Sequence, residues 1–173
     1  MLSLLKDILD NRQDAYARAL ATAEKHISDG GGDWYGVGAK GSFLLLMGGA
    51  ARDPDKGAPY LKAGHDLLTP ALAEADKHNS FEAHLLHFLA GCAFAGAGGG
   101  SETYRKACHE FSHSDMGQVR LEPWCADWCQ ILLASAAQSA GEEEASRDHF
   151  KTLSRRNPEA AVVLFEQWTN RSF

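Results

Sequence analysis

Long apolar runs are absent from the sequence, which argues against a membrane-spanning helix. The longest candidate, residues 43–47, is far shorter than the roughly 20 residues that a span requires. The opening stretch, MLSLLKDILDNRQD, has no continuous apolar core and no small-residue cleavage site, because Asp7 and Asp10 interrupt it. It is not typical of a secretory signal peptide. We therefore expect a cytoplasmic protein that has no membrane partner.

An excess of basic charge is also missing. Lys and Arg total 17 against 23 for Asp and Glu, which gives a formal net charge of −6. Proteins that bind nucleic acid carry clustered Lys and Arg, so no nucleic-acid partner is expected. The acidic balance is compatible with a basic protein partner, and it also supports solubility.

Cysteine is scarce, with four residues in a chain of 173. A chain of this length can bury an adequate core without disulfides, and cytosolic thiols stay reduced. Cys125 and Cys129 are four residues apart on a predicted helix, where the geometry for a bridge is poor. We therefore predict buried free thiols.

Alternating strand patterns are absent, and helical periodicity runs through the chain. Gly-rich stretches and Asp-Pro, Thr-Pro and Asn-Pro pairs divide it into segments. A new helix or a kinked extension is expected at Thr69–Pro70. The sequence predicts one all-α domain over residues 1–173 with about seven to nine helices. Its expected units are an N-terminal helix over residues 1–29, hairpins over about 34–68, 81–113 and 124–155, and a C-terminal helix over 158–169.

The three predicted hairpins share one design. Each pairs an Ala/Gly-rich helix with a helix that carries an aromatic residue, namely Tyr60, Tyr104 or Phe150. The units recur at an offset of about 40–50 residues, within the range of helical repeats. Small residues allow close approach within a hairpin, while the aromatic fills the gap to the next one. The pattern favours stacked antiparallel hairpins, and an irregular bundle of ordinary hairpins is the alternative.

The last hairpin, residues 132–158, resembles a tetratricopeptide repeat. The matching positions are Leu133, Ala134, Phe150, Leu153 and Pro158, whereas Ala137 and Ser146 depart from the pattern. The resemblance implies a superhelix of tetratricopeptide-like hairpins that binds other proteins. Small acidic proteins of this type are similar to bacterial immunity proteins, which neutralise a toxin by direct binding. They are also similar to tetratricopeptide-type secretion chaperones.

Gly36, Gly38 and Gly41 form a G-x-G-x-x-G pattern. A dinucleotide site would need a strand before this pattern, but a predicted helix and a Gly-rich turn precede it. Each Gly costs a helix about 1 kcal/mol relative to Ala. We therefore expect these glycines to permit close contact with a neighbouring helix.

His109, Glu110 and His113 form an H-E-x-x-H pattern on a predicted helix. In zinc hydrolases both imidazoles of this pattern bind the metal, and the glutamate acts as general base. A catalytic zinc also needs a third protein ligand. No histidine follows before His149, and the acidic residues 142–144 already begin the next hairpin. A zinc metallohydrolase with Glu110 as its catalytic residue is therefore an alternative prediction.

A second zinc alternative joins the same two histidines with Cys125 and Cys129. Two residue pairs, each spaced four apart on a helix, could together supply a tetrahedral structural site. The competing interpretation places the cysteines in the core and the histidines at the surface. His84 and His87 have no carboxylate pattern beside them and are expected to be solvated. The main prediction is therefore no cofactor, with zinc as the alternative.

The predicted function is protein binding without catalysis, and a bacterial immunity protein is favoured because the repeats are degenerate. Trp34 and Trp124 are candidate contact residues, since Trp is enriched at binding hot spots. Glu142, Glu143 and Glu144 would complement a basic toxin effector, although a solvated helix start also explains them. A secretion chaperone or scaffold, which would need more regular repeats, is the further alternative.

Overall fold

The computed structural model describes residues 1–30, 33–114 and 123–170 of the chain. These residues form nine α-helices and no strand, which confirms the predicted all-α class and helix number. None of these helices is both long enough and apolar enough to cross a membrane. The helices are α1 (Leu2–Leu9), α2 (Ala15–Asp29), α3 (Trp34–Gly49), α4 (Pro54–Ala75), α5 (Phe81–Ala97), α6 (Ser101–His113), α7 (Pro123–Ser139), α8 (Glu143–Arg156) and α9 (Pro158–Asn170).

The N-terminal segment differs from its prediction as one helix. It is divided into α1 and α2 where Asn11 and Asp14 adopt left-handed backbone conformations, with φ of 54° and 57°. Asn and Asp tolerate this region better than other residues that have a Cβ. Ile8 and Ala15, on either side of the break, are both buried in the same core. The apolar stripe is therefore continuous although the helix is not.

Of the two expectations at Thr69–Pro70, the extension is the one that forms: α4 runs through Pro70 and ends at Ala75, beyond the predicted hairpin boundary at residue 68. Proline removes one backbone hydrogen bond from a helix interior. Leu68, Ala71 and Ala75 lie at successive positions of one helical face and are all buried. Their packing stabilises the helix across the lost bond, since tertiary contacts supply most helix stability in proteins.

Glycines bring the backbones of α3 and α4 into direct contact. A Cβ added at Gly41 would lie 2.9 Å from the carbonyl oxygen of Gly64, and one at Gly57 would lie 2.6 Å from that of Gly48. A Cβ at Gly38 would lie 2.7 Å from a leucine side chain of α5. These separations are too short for a side chain, so the close helix contact expected at Gly38 and Gly41 is confirmed.

Consecutive helices pack in pairs as α3–α4, α5–α6 and α7–α8. The side chains on all sides of α3 and α5 are buried in a large core that extends from α1 to α7. A smaller cluster joins α7, α8 and α9 through Ala134, Leu153, Ala161 and Leu164. Helix α9 packs on α8 and touches α7 over a small area. One side of α9 is therefore left at the surface.

Candidate functional site

An open groove of about 390 Å³ lies between α7 and α9. Its apolar lining comes from Trp124, Trp128 and Ile131 on α7 and from Ala160, Val163 and Leu164 on α9. Each set follows helical spacing, so its members share one face of their helix. The groove is therefore the seam between two apolar helix faces that remain apart. Trp124 had been predicted as a contact residue, and the structure places it in this seam.

A carboxylate and an amide give the groove a polar edge. The Oδ2 atom of Asp127 accepts a hydrogen bond from the side-chain nitrogen of Asn157 at 3.0 Å. Its Oδ1 atom lies 3.5 Å from Nε of Arg156. The side-chain oxygen of Asn157 accepts from the backbone N–H of Ala160 at 3.1 Å and so caps α9. Asp127 is thereby held in a fixed position, with 19% of its side chain exposed at the groove.

The outward side of α9 carries apolar residues between two acidic ones. Glu159, Val162, Val163 and Glu166 follow the spacing i, i+3, i+4, i+7 and form one stripe, which we call the α9 face. Val162 and Val163 are 57% and 54% exposed. Val163 also lines the groove. The groove and the α9 face therefore form one continuous surface, which we call the docking surface.

Phe165 extends this surface towards α8. Its side chain is 55% exposed, and its ring centroid lies 6.4 Å from that of Phe150. Ala161 and Leu164, on the inner side of α9, are buried. A surface helix normally presents a polar face to solvent, whereas α9 presents two valines and a phenylalanine.

The charged side chains that α7 and α9 themselves bring to the docking surface are acidic. The carboxylates within the spans of α7 and α9 are those of Asp127, Glu159 and Glu166, and neither span contains Lys or Arg. Cations from other parts of the chain reach the α7 side of the groove: Nζ of Lys6 lies 5.9 Å from the centroid of the Trp124 ring, and Nε of Arg156 lies 3.5 Å from Oδ1 of Asp127. Arg171 follows α9 in the sequence and lies outside the described residues. Negative charge at the docking surface is therefore concentrated on the α9 face, at Glu159 and Glu166.

The other predicted contact residues lie away from the groove. The Trp34 ring stacks on that of His78, with centroids 5.5 Å apart and an interplanar angle of 4°. Glu142, Glu143 and Glu144 are exposed at the start of α8, where Glu143 pairs with Arg147 at 3.0 Å. Helix α7 separates this acidic cluster from Trp124 by about 25 Å of helix length. Of the predicted contact residues, only Trp124 therefore lies in the docking surface.

Sequence reasoning missed most of the docking surface. Its signal was the apolar run AAVVLF in α9, residues 160–165. Such a run is wider than the apolar stripe of an ordinary surface helix. If neighbouring helices cover only one side of α9, some apolar residues of this run must stay exposed.

The glutamate of the H-E-x-x-H pattern is engaged in a buried pair. Its Oε2 atom accepts a hydrogen bond from Nδ1 of His87 on α5 at 2.8 Å, and the two residues are 7% and 5% exposed. The expectation that His87 is solvated is therefore wrong. Nε2 of His87 also lies 3.5 Å from Oδ1 of Asp76. Glu110 thus joins α6 to α5.

The two histidines of the pattern are at the surface instead. His109 and His113 are exposed, and their ring centroids lie 4.2 Å apart. Nδ1 of His113 donates to the carbonyl oxygen of His109 at 2.9 Å. The carboxylate that would serve as general base is directed into the helix interface, whereas the imidazoles face solvent.

The cysteines do not face these histidines. Cys92, Cys125 and Cys129 are buried and Cys108 is half-buried, all as free thiols. Burial raises the pKa of Cys129 to about 12, so this thiol is protonated at neutral pH. Within residues 1–30, 33–114 and 123–166, no three His, Cys, Asp or Glu side chains are arranged to hold a metal ion. The structure therefore does not bring together the four ligands of the second zinc alternative.

A polar relay connects α6, α8 and α7. The Tyr104 hydroxyl lies 3.0 Å from Nε2 of His149, and Nδ1 of His149 lies 3.0 Å from the side-chain oxygen of Gln130. An amide oxygen can only accept, so Nδ1 donates and Nε2 accepts from the tyrosine. Burial lowers the pKa of His149. The relay therefore uses the neutral imidazole.

In comparisons with known proteins, no family model matches the chain, and no match was found among curated proteins or among solved structures.

Proposed function

We propose that this protein is a non-enzymatic protein-binding module that captures its partner on the docking surface. The observation that carries the proposal is the pair of exposed valines on α9 beside a groove that contains two tryptophans. Contiguous exposed apolar surface marks interaction sites in proteins that are otherwise polar outside. Tryptophans in a pocket are typical anchors of binding energy.

The energetic argument is one of area. Complete burial of a Val or Phe side chain stabilises by about 1.5–3 kcal/mol. Val162, Val163 and Phe165 are each more than half exposed. Covering them would therefore contribute about 2.5–5 kcal/mol, before the costs of association are subtracted. The groove would add to this as its apolar lining is desolvated.

We propose further that the partner is a basic toxin effector and that the protein is its bacterial immunity protein. The net charge of −6 and the two glutamates of the α9 face support this choice, because opposite charges increase association rates and specificity. The tetratricopeptide-like hairpin at residues 132–158 supports the protein-binding class. Glu142, Glu143 and Glu144 would form a second, peripheral contact if the partner extends along α8.

The test uses the full chain and the protein encoded by the adjacent gene. We expect that neighbour to be toxic when expressed alone, to be harmless when co-expressed, and to form a 1:1 complex in light scattering. Phe165→Ala should weaken the complex at least tenfold. Phe81→Ala is the matched control, since Phe81 is also half exposed, at 51%, but lies at the start of α5.

Two results would contradict the proposal. Equal affinities for the two phenylalanine variants would mean that the docking surface is not the binding site. A non-toxic neighbour that is secreted and binds through the same surface would support the chaperone alternative and overturn the immunity assignment.

A further inference from the structure

We propose that the occupant of the docking surface is a basic amphipathic α-helix of the partner, packed along α9. The inference rests on the proposed function and specifies the partner's chemistry. Its recognition pattern would be two apolar residues at adjacent positions with Lys or Arg about one turn before and one turn after them. Four observations lead to this helix.

The secondary structure favours side-chain recognition by a helix. An extended peptide gains affinity by adding a strand to an exposed sheet edge, and the described residues contain no strand. The remaining apolar feature is a groove between two helices that continues onto an exposed helix face. This is the arrangement that receives an amphipathic helix through anchors at i, i+3, i+4 and i+7.

The fold supplies a template for the packing. Helices α3, α5 and α7 each pack against the helix that follows them. Helix α9 comes next in this series, no other helix of the described residues follows it, and its outward valines are more than half exposed. A partner helix on the α9 face would take the place that α4, α6 and α8 occupy in the earlier pairs.

The charge pattern decides what that helix must carry. Glu159 and Glu166 lie seven residues apart, two turns along the same stripe, with Val162 and Val163 between them. A partner helix that covers the valines brings its own flanking residues close to these carboxylates. Lys or Arg at those flanks would form ion pairs, whereas Asp or Glu would be repelled.

The same charges disfavour a second copy of this chain as the occupant. Two α9 faces packed on one another about a twofold axis would place Glu159 and Glu166 of one copy near those of the other. Like charges at an interface cost affinity. The α9 face therefore favours a basic partner over self-association.

The test uses the full chain and two synthetic helical peptides of about three turns. Both carry leucines at i+3 and i+4, and one has Lys at i and i+7 whereas the other has Glu there. Binding is followed by calorimetry at low salt and again at about 1 M salt, where the Debye length falls to about 3 Å. We expect the Lys peptide to bind about tenfold more tightly at low salt and the preference to shrink at high salt.

A charge exchange makes the test specific. The double variant Glu159→Lys/Glu166→Lys should reverse the preference, so that the Glu peptide binds more tightly. The control is Glu142→Lys/Glu144→Lys, which changes the net charge equally at exposed positions beyond the docking surface. This control should retain the wild-type preference.

Failure of the inference can be distinguished from failure of the proposed function. Equal binding of both peptides, or no reversal in the double variant, would overturn the basic helix. If the natural complex still required Phe165 in that case, the protein-binding function would stand. Preferential binding of a proline-rich peptide in the groove would also overturn the helix, because such ligands are extended. Dimerisation of the free chain that Val163→Asp abolishes would identify a second copy as the occupant and overturn it as well.

Discussion

Removal of the Glu110 side chain tests whether the H-E-x-x-H pattern is structural. The substitution Glu110→Ala leaves His87, which is only 5% exposed, without its hydrogen bond of 2.8 Å. Leaving a buried polar group without its hydrogen-bond partner costs about 1–3 kcal/mol. Asp76 lies 3.5 Å from the other nitrogen of His87 and preserves part of the interaction. We therefore expect a loss of about 1.5–3 kcal/mol in the free energy of unfolding, which includes the lost packing of the glutamate side chain.

The assay is urea unfolding followed by circular dichroism at pH 7.5. Glu110→Gln keeps an acceptor oxygen at the same distance and should cost only about 1 kcal/mol. His109→Ala removes an exposed ring and should change the stability by less than about 0.5 kcal/mol. A buried structural carboxylate therefore predicts that Glu110→Ala is the most destabilising variant, Glu110→Gln is intermediate and His109→Ala is the least destabilising.

The opposite pattern would refute this reasoning. A catalytic glutamate is not selected for stability, and replacing it by Ala would leave the stability unchanged or raise it. That result, together with one zinc per chain that disappears in His113→Ala, would restore the zinc metallohydrolase. If Glu110 is structural, the purified wild type and His113→Ala should have the same zinc content.

Three further predictions follow from other parts of the structure. Gly64→Ala should lower the stability by about 2 kcal/mol in thermal unfolding, because its Cβ would lie 2.8 Å from the carbonyl oxygen of Gly41; an unchanged melting temperature would contradict the close packing of α3 and α4. Burial lowers the pKa of His149 and of His65 below the ordinary value of 6.5, so the unfolded chain binds protons more readily and stability falls as the pH decreases below 6.5. The urea midpoint should be lower at pH 5.5 than at pH 7.5, and the difference should be smaller in His149→Gln. An equal difference in the wild type and in His149→Gln would contradict the role given to His149. Cys108 should react first with a thiol reagent in the native protein, since the other three cysteines are buried, and simultaneous reaction of all four would contradict the core.

Local sequence signals predicted the helix boundaries where they depend on caps. Ser80 accepts a hydrogen bond from the backbone N–H of Ala83 at 3.2 Å, and Asp53 accepts from that of Asp55 at 3.1 Å. Both residues stand before a predicted helix, and the geometry agrees with the known preference for Ser and Asp at this position. Pro70 shows the limit of such local signals, because α4 continues through it to Ala75.

Features that depend on packing could not be predicted in this way. The buried pair between His87 and Glu110 joins residues 23 positions apart on different helices, and no periodicity indicates which histidine meets which carboxylate. The break at Asn11 and Asp14 interrupts a stripe that remains apolar on both sides. Local conformational preferences of two residues overcame the helical pattern there.

The docking surface also combines features that local sequence predicts with features that depend on packing. Trp124 could be proposed from its residue type, but its position in a groove depends on where α9 lies relative to α7. The exposure of Val162 and Val163 depends on the number of helices that cover α9, since apolar residues occur on all sides of its central turns. A sequence pattern gives the apolar faces of a helix without saying which of them has a partner in the fold.

Hydrogen exchange of the partner complex tests the central claim most directly. If the docking surface binds the partner, backbone amides in residues 124–131 and 158–166 should exchange more slowly in the complex than in the free chain, while those of α3 and α4 remain unchanged. Slower exchange confined to α3, α4 or α6, with residues 158–166 unaffected, would contradict the account.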